Sequence, residues 1–359
     1  MGTNKAVLLV AIILAAGPVV AAAQQYTLKD IGSLGRPHTT GAGINASGQA
    51  TGSGLPRGDV GYRAFLYSKG QIQDIGTLGG SESWATGINA SGQVVGYSFN
   101  ASGIYQAFLY SNGAMQGLNG LLGDPDGSSA AGINDIGQIT GYAAVTATTH
   151  HAFLYTGGSM QDLGTLGGPN SEGYAINASA QVTGSAATSG VGYEHAFLCT
   201  NGVMQDLGTF GGNSSTGYGI NVNGEVTGIA DTVGNDRTLP HAFLYSNGSM
   251  QDLGTLGGPN SQGYAINASG QVTGSSATKE NGAHAFLYSN GHMTDLNSLI
   301  SSDAAARYTL VSAVAINDKG QILVDATANG APGEATLILT PTSENSAEKG
   351  DDSSRLLWR

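Results

Sequence analysis

The segment Gly263–Leu299, GYAINASGQVTGSSATKENGAHAFLYSNGHMTDLNSL, is the clearest of seven copies of a block of about 44 residues. Every copy has an asparagine at the same turn, at intervals of 43 to 50 residues. These turn asparagines are Asn45, Asn89, Asn134, Asn177, Asn221, Asn267 and Asn317. A second marker recurs at Phe65, Phe108, Phe153, Phe197, Phe243, Phe286 and, in degenerate form, Thr336. Repeats of this length cannot bury their own apolar faces, so neighbouring copies must stack.

Each copy reads as four short strands separated by turn signals. In the sixth copy the runs are Gly263–Asn267, Gln271–Ser275, His284–Ser289 and His292–Leu296. The first two are joined by Asn-Ala-Ser-Gly, where asparagine accepts backbone hydrogen bonds and glycine supplies the positive φ. The last two are joined by Asn-Gly, a strong signal for a two-residue hairpin. Each copy is therefore predicted to be a four-stranded antiparallel sheet.

The links predict two unlike faces, because successive links of an antiparallel meander alternate between the two ends of the strands. We call the face with both tight hairpins, such as 267–270 and 290–291, the plain face. The opposite, decorated face receives the two longer links of each copy. One of these is the TLGGPNS-type link, as at Thr165–Ser171 and Thr255–Ser261, and the other varies in length and composition.

The predicted fold is all-β: a seven-bladed β-propeller of four-stranded antiparallel blades. An open solenoid has the same period, but the chain lacks the polar capping repeats that an open stack needs. The segment Tyr26–Gly32, YTLKDIG, matches the fourth run, and Leu337–Leu339 matches the third. We therefore expect the N-terminal strand to pair with the C-terminal blade and close the ring. The small residues of GYAIN suit the crowded centre, and the polar MQDLG run suits the rim.

The two ends of the chain predict export. Lys5, an apolar run over 6–20 and the small residues 21–23 form a signal-peptide pattern, assigned to residues 1–23, although an uncleaved anchor is the alternative. Residues 24–340 are assigned to the propeller and residues 341–359 to a disordered polar tail. The mature chain has no further apolar segment of spanning length, so we expect a secreted or periplasmic protein.

Composition restricts the partners. The net charge is −12, and the 13 Lys and Arg residues are scattered singly, which argues against nucleic acid because phosphate backbones need clustered cations. Cys199 is the single cysteine, so no internal disulfide can form, and it occupies the position of a strand tyrosine in the other copies. We expect a monomer without metal or other cofactor.

The recurrent strings HAFLYSNGSMQDLGTLGG and GYAINASGQVTGS resemble the HAF repeat of extracellular bacterial proteins. The full triplet begins at His151, His195, His241 and His284, whereas Arg63, Gln106 and Glu334 replace the histidine in other copies. The resemblance implies an exported repeat protein and brings no enzymatic activity or catalytic residues to carry over.

The repeated histidine and the aspartate of the QDLG run form four candidate pairs. Strand pairing around the Asn-Gly turn places them within reach on one sheet face. The pairs are His151 with Asp162, His195 with Asp206, His241 with Asp252, and His284 with Asp295. They could ligate metal or form an oriented base. Because they are copied around the ring whereas a catalyst needs one site, we interpret them as structural hydrogen bonds and assign no catalytic residue.

The variable link on the decorated face is where the sevenfold symmetry breaks, and binding residues of repeat scaffolds concentrate on such loops. The chemically equipped positions are Arg57, Asp59, Tyr105, His150, Tyr193, Glu194, Asp231, Asp236, Arg237, Lys279 and Glu280. An insertion at Ser301–Tyr308 adds to the same face. The predicted function is a non-enzymatic scaffold that binds an extracellular glycan or protein through this face. The alternatives are an extracellular polymer-degrading hydrolase or lyase, and a matrix or adhesion role.

Overall fold

A computed structural model describes residues 25–118, 127–190, 192–234, 239–280, 282–330 and 333–342. The assigned signal peptide and nearly all of the assigned tail therefore lie outside the described residues. The strands are β1 (Tyr26–Asp30), β2 (Gly35–Ile44), β3 (Ala50–Pro56), β4 (Arg63–Ser68), β5 (Gln71–Asp74), β6 (Gly79–Ile88), β7 (Val94–Asn100), β8 (Tyr105–Ser111), β9 (Ala114–Gly117), β10 (Ser128–Ile133), β11 (Ile139–Ala144), β12 (His150–Thr156), β13 (Ser159–Asp162) and β14 (Gly167–Ile176). They continue as β15 (Val182–Thr188), β16 (Glu194–Thr200), β17 (Val203–Asp206), β18 (Gly211–Ile220), β19 (Val226–Thr232), β20 (His241–Ser246), β21 (Ser249–Asp252), β22 (Gly257–Ile266), β23 (Val272–Thr278), β24 (Ala283–Ser289), β25 (His292–Asp295), β26 (Tyr308–Ile316), β27 (Ile322–Ala328) and β28 (Glu334–Pro341).

The strands form seven four-stranded antiparallel sheets, which confirms the predicted propeller. Blades 1 to 6 take their strands in chain order, from β2–β5 through β22–β25. The seventh sheet has the order β1–β28–β27–β26, so the N-terminal strand completes the C-terminal blade. Tyr26 pairs with Pro341 and Asp30 pairs with Leu337. This pairing confirms ring closure and shows that the last strand includes Pro341, the first residue assigned to the tail.

The first strand of each blade lies innermost, as expected. The central channel is lined by first-strand residues from all seven blades, including the isoleucine that precedes each turn asparagine. These strands are longer than predicted: β22 begins at Gly257 and β14 at Gly167, inside the segments interpreted as links. Ser261 shows why, because its Oγ accepts a hydrogen bond from Ala242 N (2.9 Å) and donates to Gly254 O (2.6 Å). The equivalent serine accepts the same backbone N–H from the preceding blade in each of blades 2 to 6.

The core lies between blades and is built around one large side chain per copy. All six phenylalanines of the His-Ala-Phe run are fully buried. In blade 7 the equivalent residue is Leu337, because it pairs with Val324 and Asp30 as Phe65 pairs with Gly52 and Asp74. The alignment that used Thr336 as the marker was therefore one residue out of register, and Ala335, not Glu334, takes the histidine position.

Two short helices depart from the repeat. A 3-10 helix covers Leu296–Leu299, and α1 covers Ser302–Arg307 within the predicted insertion on the decorated face. Ser301 caps α1 by accepting a hydrogen bond from Ala304 N at its Oγ (3.3 Å). Within the described residues, no helix has the length and apolar character needed to cross a membrane.

The plain face contains a closed ring of seven asparagines that the sequence did not predict. Each turn asparagine donates through Nδ2 to the backbone carbonyl of the turn asparagine in the next blade. The donor–acceptor distances in chain order, from Asn45 to Asn317, are 3.0, 3.1, 3.1, 3.0, 3.1, 3.4 and 2.9 Å. The last bond runs from Asn317 to Asn45 O. All seven side chains are buried, so one residue per copy both shapes its turn and joins its blade to the next.

Candidate functional site

An aromatic cluster covers one sector of the decorated face, over blades 1 to 3. Trp84 stacks on Tyr97 with ring centroids 5.0 Å apart and on Tyr62 at 6.2 Å. Phe99 meets Trp84 edge-on at 6.2 Å. Tyr105 meets Tyr97 edge-on at 6.4 Å. These stacked and edge-to-face arrangements are the ones that aromatic pairs favour.

The cluster continues toward blade 4 through Tyr142 and His150, whose rings are 5.2 Å apart. His150 Nε2 lies 3.0 Å from Glu172 Oε1. The other oxygen of Glu172 accepts a hydrogen bond of 2.6 Å from the Tyr174 hydroxyl. We call the whole set the aromatic arc. Its members are Tyr62, Trp84, Tyr97, Phe99, Tyr105, Tyr142, His150, Glu172 and Tyr174.

Three phenols of the arc have a raised pKa. Burial raises the pKa of Tyr142, and the neighbouring Tyr105 and Glu172 add to the increase. Burial, followed by the Glu172 carboxylate, also raises the pKa of Tyr174. The pKa of Tyr97 is raised by burial and by Glu82. Tyr97, Tyr142 and Tyr174 therefore present uncharged hydroxyl groups beside the aromatic rings, and Glu172 lies at the end of the arc.

The arc exists because three strands depart from the repeat in blades 2 and 3. Trp84 stands on the innermost strand, where the other blades have Thr40, Ser129, Glu172, Thr216, Gln262 and Ser312. Tyr97 and Tyr142 stand on second strands, where the other blades have Ser53, Ser185, Ile229, Ser275 and Asp325. The predicted binding residues were chosen from the loops, so these strand residues were missed. A position-by-position comparison of the seven copies would have found them.

The channel is asymmetric in the same way. Tyr174, Tyr218 and Tyr264 stand side by side on the inner strands of blades 4, 5 and 6, with centroid distances of 5.5 and 6.1 Å. The equivalent residues in the other blades are smaller: Ala42, Thr86, Ala131 and Val314. Because Tyr174 also bonds Glu172, the aromatic arc runs without a gap into this row of channel tyrosines.

The residues predicted from the loops of the decorated face lie in several different places. Tyr105 and His150 belong to the aromatic arc. Glu194 and Asp231 line a separate cavity of about 180 Å³ with Thr216, Ile229 and Pro240. Asp236 and Arg237 lie outside the described residues.

The remaining predicted residues lie apart from the arc. Asp59 forms an ion pair of 2.6 Å with Arg63, and that hydrogen bond is the main reason why its pKa is lowered. The exposed Arg57, Lys279 and Glu280 stand on the turns of blades 1 and 6. The Tyr193 carbonyl closes its own loop by accepting from Thr188 N at 2.9 Å.

The four predicted histidine–aspartate contacts are present. The Nδ1–Oδ2 distances are 2.9 Å for His151–Asp162, 2.9 Å for His195–Asp206, 2.8 Å for His241–Asp252 and 2.6 Å for His284–Asp295. Each aspartate also accepts a backbone N–H two residues ahead, as Asp252 Oδ1 does from Gly254 N at 2.7 Å. In blade 2, Gln106 Nε2 instead donates to Leu118 O at 2.9 Å. No group of three or more His, Cys, Asp or Glu converges on a metal-binding point within the residues that the structure describes.

One family profile matches this chain over residues 167–333, somewhat less than half of its length. That family is described as a protein of unknown function (DUF3466). The assignment to the HAF-repeat family was therefore wrong, since the profile that matches belongs to this different, uncharacterised family. No functionally curated protein matches the sequence.

Solved structures share the fold at low sequence identity. An acylaminoacyl peptidase from Pyrococcus horikoshii is 12% identical with a TM-score of 0.51, over 84% of this chain and 51% of that one. TolB from Acinetobacter baumannii is 10% identical with a TM-score of 0.43, over 89% and 63%. A gluconolactonase from Xanthomonas campestris is 9% identical with a TM-score of 0.42, over 88% and 90%. This chain spans less than two thirds of the first two proteins, and these likenesses show the fold alone.

Proposed function

We propose that this protein is an exported, non-enzymatic scaffold that binds a carbohydrate through the aromatic arc on its decorated face. The observation that carries the proposal is the row of ring contacts Tyr62–Trp84–Tyr97–Tyr105, which a hydrogen bond between Tyr105 and Tyr142 extends through His150 to Glu172. The C–H faces of a sugar ring pack on aromatic rings, and its hydroxyl groups need acceptors and donors at the edge of that platform. The arc provides both within one sector.

The charge of the arc narrows the ligand class. Its rings are neutral, Glu172 is its acid, and the whole chain carries a net charge of −12. This negative charge would repel an anionic polymer but not a neutral glycan. Both oxygens of Glu172 are already engaged, by His150 and Tyr174, so we assign this carboxylate to orienting a sugar hydroxyl rather than to proton transfer.

A glycan array followed by calorimetric titration of the best neutral oligosaccharide tests the proposal. Trp84→Thr restores the residue found at Thr40 and Thr216, so it should fold and lose at least tenfold in affinity. Tyr193→Ala is the matched control, because it removes a decorated-face tyrosine outside the arc and should bind like the wild type. The carbohydrate assignment would be overturned if no glycan on the array bound, or if Trp84→Thr and Tyr193→Ala bound with equal affinity.

The polymer-degrading alternative has its own candidate place. Glu194 and the buried Asp231 line one cavity, and paired carboxylates are the groups that glycoside hydrolysis uses. A reducing-sugar assay on the glycans that bind, with Glu194→Gln as the comparison, separates the two functions. Turnover that Glu194→Gln abolishes would establish the enzyme and overturn the scaffold proposal.

A further inference from the structure

The seam between blades 7 and 1 has a cavity of about 380 Å³ that opens on the plain face, away from the aromatic arc. It is lined by Lys29, Ser47, Gly48, Tyr67, Lys69, Gly70, Gln321, Ile338 and Thr340. The lining set, drawn from the described residues, contains two lysines and no carboxylate. Two cations in one cavity stand out in a chain that has 25 acidic and 13 basic residues.

Both lysines are departures from the repeat. Lys29 takes the position held by Gln73, Gln116, Gln161, Gln205, Gln251 and Thr294 in the other blades. Lys69 takes the first position of the tight turn, held by Asn112, Gly157, Asn201, Asn247 and Asn290 elsewhere. Its φ is 52°, a conformation that asparagine and glycine adopt more readily than lysine. The seam therefore holds two cations where its sister blades hold neutral residues.

Tyr67 supplies an independent sign of a missing partner. In two other blades the equivalent tyrosine is satisfied by the glutamine of the preceding blade, as Gln205 Nε2 donates to Tyr245 OH and Gln251 Nε2 to Tyr288 OH, both at 3.0 Å. At the seam Lys29 replaces that glutamine and places its Nζ 5.5 Å from the centroid of the Tyr67 ring. Tyr67 is 4% exposed and its hydroxyl has no hydrogen-bond partner.

We propose that this cavity, the seam pocket, binds an oxyanion such as a carboxylate or sulfate group. Lys29 and Lys69 would neutralise its charge. Thr340 Oγ1 already accepts from Gln321 Nε2 at 3.2 Å, so its own hydroxyl proton is available to an anion oxygen. Tyr67 would gain the acceptor that it lacks.

The anion has two possible sources. It can come from solution, or from residues 343–359, which carry Glu344, Glu348, Asp351 and Asp352 and begin three residues after Thr340. Both sources offer the same chemistry to the pocket. A full-length variant with those four acids changed to amides distinguishes them.

Titration of sulfate into the ¹⁵N-labelled protein, at constant ionic strength, tests the proposal through the amide signals of Gly48 and Gly70. We expect saturable shifts in the wild type. Lys29→Gln with Lys69→Asn, which restores the residues of the sister blades and should fold, should weaken sulfate binding at least tenfold. Arg57→Gln with Lys279→Gln removes the same charge from the decorated face and should bind sulfate like the wild type.

The tail variant assigns the source. If the tail occupies the pocket, neutralising its acids should strengthen sulfate binding severalfold and shift the same two amides without added sulfate. If the anion comes from solution, the tail variant and the wild type should bind sulfate equally. The seam-pocket proposal would be overturned if neither the wild type nor the tail variant showed saturable shifts. It would also be overturned if the Lys29→Gln, Lys69→Asn variant bound sulfate as well as the Arg57→Gln, Lys279→Gln variant.

Discussion

The plain and decorated faces are built from the same repeat, yet the plain face carries a sevenfold ring of asparagines whereas the side chains of the decorated face differ from blade to blade. On the plain face, seven buried asparagines form a ring in which every member makes the same bond to its neighbour. On the decorated face, aromatic residues gather over blades 1 to 3 and carboxylates line a cavity at blades 4 and 5. A repeat protein can therefore devote one surface to holding the ring together and leave the other free to diversify.

The sharpest test uses one turn that occurs on both faces. Asn89-Ala-Ser-Gly92 and Asn100-Ala-Ser-Gly103 have the same sequence and the same hydrogen bonds within the turn. Only Asn89 makes two further hydrogen bonds, in which its Nδ2 donates to Asn134 O in the next blade and to Gln93 Oε1 in its own blade. Asn89→Ala should lower the free energy of unfolding by about 2–4 kcal/mol, because it leaves buried partners unsatisfied.

Asn100→Ala removes the turn bonds alone and should cost about 1 kcal/mol. Chemical denaturation of both variants measures the difference. Equal losses would mean that the asparagine ring adds nothing beyond turn formation.

The seam between blades 7 and 1 gives a prediction about pH. Burial raises the pKa of Asp325 from 3.8 to about 6, although Gly41 N (2.9 Å) and the Thr336 hydroxyl (2.9 Å) donate to it. The folded state therefore binds this proton more tightly than the unfolded state, and stability is lost as pH rises from 4 to 6. Relative to Asp325→Asn, the wild type should lose on the order of 2 kcal/mol across that window.

The measurement is the free energy of unfolding of both proteins at pH 4, 5, 6 and 7. Parallel curves would show that Asp325 does not titrate with the shifted pKa. If the wild type gained stability relative to the variant as the pH rose, the pKa of Asp325 would be lowered in the folded state, which would contradict the prediction.

Removing a residue of the aromatic arc should lower the free energy of unfolding only slightly, because the other blades fold without these aromatic residues. Trp84→Thr loses stacking on Tyr62 and Tyr97 but inserts a residue that the repeat already accepts at that position. We expect a loss of about 1–2 kcal/mol in the free energy of unfolding, well below that of Asn89→Ala. A loss larger than that of Asn89→Ala would place Trp84 in the stabilising framework rather than in a binding surface.

The smallest effect is expected at the histidine–aspartate pairs. His241 and Asp252 have side chains that are 25% and 41% exposed, and partly exposed pairs contribute about 0–1 kcal/mol. His241→Gln mimics Gln106 of blade 2 and should change the melting temperature by no more than about 2 °C. A drop of 10 °C, or loss of glycan binding, would contradict the structural interpretation of these pairs.

The periodicity of the sequence was sufficient to predict the blade count, the strand order and the closing strand, because these depend on signals that recur in every copy. The glycine of the Val-Thr-Gly run recurs in six of the seven copies, and Val324 takes its place in blade 7. A Cβ at Gly184 or Gly228 would meet the carbonyl oxygen of the bulged inner strand, so the glycine allows the close approach of these two strands.

The aromatic arc was predicted less well, for a physical reason. Trp84, Tyr142 and Glu172 stand on strands of three different blades that are far apart in sequence, and the ring places blades 2 to 4 side by side. Of the residues chosen from single loops, Tyr105 and His150 joined them. The asparagine ring was missed for the same reason, since its function at the turn was visible in one copy whereas its bond to the next blade was not.

The shared seventh blade also dictates the order in which the molecule can assemble. Six blades consist of consecutive hairpins, whereas Thr27 donates to the carbonyl of Thr340, which is 313 residues away. Contacts of that separation carry the largest loop-closure entropy, so they should form last, after the other six sheets have brought both ends of the chain to the same edge. During synthesis β1 stays unpaired until β28 has been made. Unpaired strand edges can pair with other molecules, so the edge of blade 7 that β1 covers is where we expect the folding chain to be most prone to aggregation.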